Sequence, residues 1–334
     1  MSKKIKDTDY LVISARVKAM ESGLLTRERM EQVLEAKSNE DAVKILQECG
    51  YPALDPADPA AMDAALSAAR EETLKDLADG APDPRYIDSF KLKYDYHNVK
   101  ALLKAEAMGT DADSMLMDLG RVPVAELKEA VRTGQLDALP AILAEAVTEA
   151  REVLNTTQDP QLSDIVLDRW CYRDLTEVAK STGSAFLEGY VQTQIDAANL
   201  RTLVRTLRMG KGPEFLRGVL LEGGELSADQ LLEVSANRGA GLAELYGPTR
   251  FQKTAEVAAE AVKGGSLTEF EKLCDDAVSD YLADAQFVPF GEAPLVGYLA
   301  ARETEYTNLR ILLMGRGAGL PAEVIRSRLR QSYV

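Results

Sequence analysis

The chain has 334 residues, with 39 basic and 54 acidic side chains and one histidine, giving a net charge of −15 at neutral pH. That surplus of carboxylates argues against nucleic acid, whose phosphates are held by Lys and Arg, and against docking on an anionic lipid face. With 46 % hydrophobic residues the chain can build a core, and at this length two or three domains are expected.

No stretch approaches the ~18 uninterrupted apolar residues of a membrane span, and Met1-Ser2-Lys3-Lys4-Ile5-Lys6-Asp7 lacks the apolar segment of a signal peptide. A cytoplasmic location is expected. Cys49, Cys171 and Cys274 stand far apart with no C-x-x-C, so they predict buried reduced thiols and neither a metal site nor a cofactor.

From the start of the chain, apolar positions recur at helical spacing, as in Thr26-Arg27-Glu28-Arg29-Met30-Glu31-Gln32-Val33-Leu34, and strand-like alternation is scarce. The pattern predicts an all-α fold. Breaks fall at Gly50-Tyr51-Pro52, Pro56/Pro59, Gly80-Ala81-Pro82-Asp83-Pro84, Asn155 to Pro160, Gly210-Lys211-Gly212-Pro213, Gly223-Gly224, Gly247-Pro248 and Gly264-Gly265. Asp58 ahead of Pro59, and Ser227 three before Gln230, read as helix N-caps.

Comparing the chain with itself reveals a repeat. Asp95-Tyr96-His97-Asn98-Val99-Lys100-Ala101-Leu102-Leu103 aligns with Asp196-Ala197-Ala198-Asn199-Leu200-Arg201-Thr202-Leu203-Val204 and with Glu305-Tyr306-Thr307-Asn308-Leu309-Arg310-Ile311-Leu312-Leu313. Each helix is expected to run into glycine, at Gly109, Gly210 and Gly315. The asparagines are 101 and 109 residues apart, a domain repeat rather than a solenoid. Weaker echoes pair Asp164/Asp168 with Asp276/Asp280, and Gly319–Ile325 near the tail with Gly23–Met30 near the head, which makes the units cyclic. Three homologous helical domains, 1–115, 116–222 and 223–334, in a pseudo-threefold arrangement follow as the expectation.

On each repeated helix the positions one, four and five after the asparagine form one apolar stripe. Bases occupy another face: Lys93, Lys100 and Lys104 on the first helix, Arg201, Arg205 and Arg208 on the second. The segments 90–109, 194–211 and 301–317 carry eleven bases against five acids, whereas the rest of the chain carries 28 against 49. Two explanations stand side by side. Either the bases pair with carboxylates of neighbouring helices while each asparagine satisfies a buried backbone group, or three basic faces converge on a central concavity and grip a partner.

Catalytic patterns are weak. Gly315-Arg316-Gly317-Ala318-Gly319 follows a helix and is no dinucleotide loop, and no G-x-x-x-x-G-K-[ST] occurs. His97 is the only imidazole, inside a motif whose other copies have Ala198 and Thr307, so a triad is not expected. Asp275, Asp276 and Asp280 invite a Mg²⁺-diphosphate reading, but Ser279 and Ala283 stand where further acids would be required.

In Asp9-Tyr10-Leu11-Val12-Ile13-Ser14-Ala15-Arg16-Val17-Lys18, Tyr94 to Leu103 and Glu305 to Leu313, the chain resembles the C subunit of the V-type and archaeal-type rotary ATPases, the counterpart of the eukaryotic d subunit. The resemblance covers essentially the whole chain. It implies a non-catalytic central-stalk rotor component, a funnel of three helical domains capping the membrane proteolipid ring. In that family the socket receives the D and F axle proteins and passes torque between ion transport and ATP hydrolysis or synthesis. The resemblance thus implies a protein peripheral to the membrane through the complex. Partner-binding residues in the socket are expected at Asn98, Lys100, Asn199, Arg201, Arg205, Asn308 and Arg310. The alternative is a cytoplasmic all-α scaffold unrelated to rotary ATPases.

Overall fold

A computed structural model describes residues 5–334, and every regular element among them is helical, as the 3–4 period requires. In chain order these are α1 (Leu11–Glu21), α2 (Arg27–Leu34), α3 (Asn39–Glu48), α4 (Pro59–Ala78), α5 (Arg85–Met108), α6 (Val124–Thr133), α7 (Ala141–Thr157) and α8 (Pro160–Thr182). The second half holds α9 (Ala185–Arg208), α10 (Pro213–Val219), α11 (Ala228–Ala236), α12 (Leu242–Tyr246), α13 (Gln252–Val262), α14 (Leu267–Ala283), α15 (Glu292–Gly317) and α16 (Ala322–Arg326). The expected caps form: the Asp58 carboxylate accepts from Ala61 N with Pro59 in the first turn, and Ser227 and Gln230 cap each other reciprocally. None of the helices in the described residues is long and apolar enough to cross a membrane.

The repeated motifs lie on α5, α9 and α15, the three longest helices. Each organises a core through its predicted stripe. Val99 and Leu103 of α5 meet Leu127, Leu143 and Leu167 of α6, α7 and α8. Leu200, Leu203 and Val204 of α9 meet Leu231, Ala255 and Phe270 of α11, α13 and α14. Leu309, Leu312 and Leu313 of α15 meet Val33, Leu46 and Leu66 of α2, α3 and α4, so the third core joins the two ends of the sequence. Each fully buried Leu or Val contributes roughly 1.5–3 kcal/mol, so the stripes alone supply much of the driving force.

A fourth core ties these three together. Ile87 and Phe90 of α5, Leu187 and Val191 of α9, and Leu295 and Leu299 of α15 share it with Ile13 and Val17 of α1. Phe90 stacks on Tyr190 with ring centroids 6.0 Å apart. The three repeated helices therefore meet over their first halves, and each enters a core of its own over its second half. Around that junction α4 packs on α5, α8 on α9 and α14 on α15.

Three sequence expectations are corrected. Gly315 does not end its helix, because α15 runs on to Gly317 and the left-handed stop falls on Gly319 at φ 67°. A Cβ on Gly315 would lie 2.7 Å from Ile325 Cγ1, so this glycine lets α16 close against the helix. Nor is Gly319–Ile325 the counterpart of Gly23–Met30. Helix α16 packs against both α15 and α2, as α10 packs against α9 and α11, so the tail matches 210–216 and α2 matches α11. Finally, Cys274 is buried but Cys49 and Cys171 are only half-buried.

Candidate partner-binding cavity

The three asparagines occupy equivalent surroundings. Asn98 Nδ2 donates to Met117 O at 2.8 Å while Met117 N donates to Asn98 Oδ1 at 2.9 Å. Asn199 clasps Leu221 in the same two bonds, both 2.9 Å, and Asn308 clasps Arg330 at 3.0 and 2.8 Å. All three side chains are buried, their donor and acceptor satisfied by one residue of the segment that follows the helix.

The acid one turn earlier completes the clamp. Asp95 accepts from Val122 N at 3.2 Å, and Asp196 accepts from Leu226 N at 3.4 Å and Glu225 N at 2.9 Å. Val122 and Leu226 each lie five residues beyond the clasped residue. In the third unit the corresponding bond to Glu305 comes from Leu25, at the other end of the sequence. The two ends of the sequence thus meet at the third copy of the clamp, through residues other than those of the sequence echo. Burial lifts the pKa of all three acids; Arg121 opposes this at Asp95 and Arg302 opposes it at Glu305. Asp196 has no cation beside it among the described residues and is pushed up to about 6.

The bases are paired across to the helix that closes each unit. Lys100 meets Asp168 of α8 at 2.5 Å, Arg201 meets Asp275 of α14, and Arg310 meets Asp63 of α4 at 2.8 Å. One turn on, Lys104 meets Asp164 at 2.5 Å and Arg205 meets Glu271 at 2.6 Å. The counterparts of Asp164 and Asp168 are therefore Glu271 and Asp275, five residues before the pair the sequence echo suggested. Asp276 accepts from Gln331 N and pairs with Lys272, and Asp280 accepts from Gln331 Nε2, so this acidic run ties down the tail. Helix-to-helix pairing, one of the two explanations open from sequence, is what the bases do here.

Against the shared core lies a cavity of ≈ 280 Å³ bordered by all three repeated helices. The positions five before each asparagine, Lys93, Gln194 and Glu303, all face it. Lys93 Nζ reaches Glu303 Oε2 at 2.6 Å, with Arg70 Nε at 3.6 Å from the same oxygen and Tyr94 donating to Oε1 at 3.2 Å. Burial pushes the Glu303 carboxyl up, but Lys93 and Arg70 outweigh it and hold it below the ordinary glutamate range. On the opposite wall Asp275 is shared by Arg201 and Arg330.

Of the bases named from sequence, Arg201 borders this cavity, whereas Lys100, Arg205 and Arg310 sit in their ion pairs outside its lining. Gln194, Glu303 and Arg330 escaped sequence reasoning, because a neutral, an acidic and a basic side chain at matching or unmatched positions give no repeat signal. His97 is exposed, with Nε2 2.9 Å from Met115 O. Burial pushes the Cys171 and Cys274 thiols up to about 12, away from nucleophilic thiolate.

The ATP synthase (C/AC39) subunit family matches residues 13–328. The C subunit of the V-type sodium ATPase of Enterococcus hirae is 26 % identical over 97 % of this chain and 99 % of its own length. The C subunit of the A-type ATP synthase of Methanocaldococcus jannaschii is 27 % identical over 96 % of this chain and 86 % of its own. That of Thermococcus kodakarensis is 26 % identical over 96 % and 90 %.

Proposed function

The chain belongs to the ATP synthase (C/AC39) subunit family, an accessory and not a catalytic part of a rotary ATPase, and from that premise we propose that it is the central-stalk rotor adapter. It caps the membrane proteolipid ring, receives the D and F axle proteins, and carries torque between ion transport and ATP hydrolysis or synthesis. Membership of the family sets aside the unrelated scaffold. Held through the ring, the protein sits on the cytoplasmic face of the membrane.

The observation that carries this reading is the meeting of α5, α9 and α15 in one core over their first halves, with a cavity among them against it. This supports reading the chain as a three-walled cup closed at one end, its units counted from one repeated helix to the next. The axle enters the open mouth, where Arg201 lies on the wall and Lys100, Arg205 and Arg310 flank it through their ion pairs. Asn98, Asn199 and Asn308 serve by holding the wall in shape. Torque needs stiffness, which cores packed at crystal-like density supply. A net charge of −15 favours contact with ring protein over anionic headgroups. Three units cannot match a many-fold ring contact for contact, so the closed end holds the ring without a unique register.

Affinity purification of the tagged chain from detergent-solubilised membranes tests this. Recovery of the proteolipid ring together with D and F is expected; recovery of neither, or of stator proteins alone, overturns it.

A further inference from the structure

We propose that the cavity among α5, α9 and α15 reads acidic side chains, with Lys93, Arg201 and Arg330 taking carboxylates from the end of the axle; this rests on the rotor reading above. Three cations face two carboxylates in its lining, Lys93 on Glu303 and Arg201 with Arg330 on Asp275, and Arg70 reaches Glu303 from outside that lining. In a chain of net charge −15 this is a local excess of positive charge, held on side chains that remain part-exposed. A guanidinium that shares one carboxylate with a second guanidinium keeps donors to offer, since it has five N–H groups in a planar fork.

Shape decides the class of occupant. A space of ≈ 280 Å³ takes a few side chains from an entering protein end rather than a folded domain. It is surrounded by helix faces from three units, with Lys93, Gln194 and Glu303 at matching positions around it, so an elongated protein end entering between them meets a polar group on each wall. Because each carboxylate is held by two cations, removing one cation leaves the other in place, and the wall survives single substitution.

The test measures binding of purified D–F subcomplex to the full chain at low and high salt, for the native chain, for K93Q with R201Q, and for a control pair, K44Q with K263Q, two exposed lysines outside the cavity lining. Thermal melting verifies that each variant is folded. The proposal expects the native affinity to fall steeply with salt, the cavity pair to weaken binding at least tenfold and flatten that dependence, and the control to behave as native. Native-like binding by the folded cavity pair overturns the acid-reading cavity while leaving the rotor reading intact. Failure of the native chain to bind D–F overturns both. Displacement of D–F by low-millimolar inorganic phosphate, with the cavity pair insensitive to it, would mark a small-anion site and also overturn the proposal.

Discussion

Asn308 clasps the main chain of Arg330 from both sides, at 3.0 and 2.8 Å, and the guanidinium of Arg330 reaches across to Asp275 of α14. One residue thus closes the third unit with its backbone and joins it to the second with its side chain. The same clasp in the other two units joins residues 19 and 22 apart, Asn98 with Met117 and Asn199 with Leu221.

Replacing a clasping asparagine by alanine leaves a part-buried backbone N–H and C=O without their partner in one step. At roughly 1–3 kcal/mol for each unsatisfied group, N199A should lose about 3 kcal/mol of stability. N199D, which keeps the acceptor for Leu221 N but sets an unpaired buried carboxylate against Leu221 O, should lose at least as much as N199A at neutral pH. Urea unfolding midpoints check this order, and N98A should resemble N199A because the surroundings match.

The Asp196 carboxyl gives stability an unusual slope. Its folded pKa of about 6 lies above the ordinary aspartate value of 3.8, so the native state binds the proton more tightly than the unfolded chain. Between about pH 6 and pH 4 stability therefore rises as pH falls, and above about pH 6 the penalty of the buried charge is fully present. The whole window is worth about 3 kcal/mol at 1.36 kcal/mol per pH unit. The difference in unfolding free energy between native chain and D196N, followed from pH 8 to pH 4, should change by that order and level off at both ends.

Two glycines admit the acids of the clamp. A Cβ on Gly120 would collide with Asp95 Oδ1, and one on Gly224 would collide with Asp196 Oδ1. G120A and G224A should each destabilise the protein by about 1–3 kcal/mol through overpacking. G218A, inside α10 where nothing lies within 4 Å of the added methyl, should be neutral or slightly stabilising by comparison. Thermal denaturation of the three variants side by side separates close approach from loss of chain flexibility.

Arg316 closes α2 from a distance of 280 residues in sequence. Its guanidinium donates to Leu34 O at 2.6 Å and to Ala36 O and Ser38 O at 2.9 Å, satisfying carbonyls at and beyond the helix end. R316A should lower stability by about 2 kcal/mol or more, and R316K should recover little, because a point ammonium cannot reach three divergent carbonyls. Hydrogen exchange at the C-terminal turn of α2 should rise in both.

What was legible in the sequence is what side chains repeat. Asparagine, aliphatic, base and paired aliphatics recur because each does the same work three times, and their helices and stripes follow from the period alone. The partners of the clasp were hidden, since Met117, Leu221 and Arg330 take part through backbone atoms that leave no mark on residue type. The cavity was hidden for a related reason: Lys93, Gln194 and Glu303 occupy one position with three different charges. A division at 115/116 and 222/223 sets each repeated helix at the end of its domain, whereas the cores gather each with the helices after it and, for α15, with α2 to α4.

Cryo-electron microscopy of the intact membrane complex, with this chain identified by a bound antibody fragment, tests the account most directly. Density for the chain between the proteolipid ring and the axle, with the axle end seated among α5, α9 and α15, is the predicted result. Density beside the stator, with the cavity empty and facing away from the axle, would contradict it.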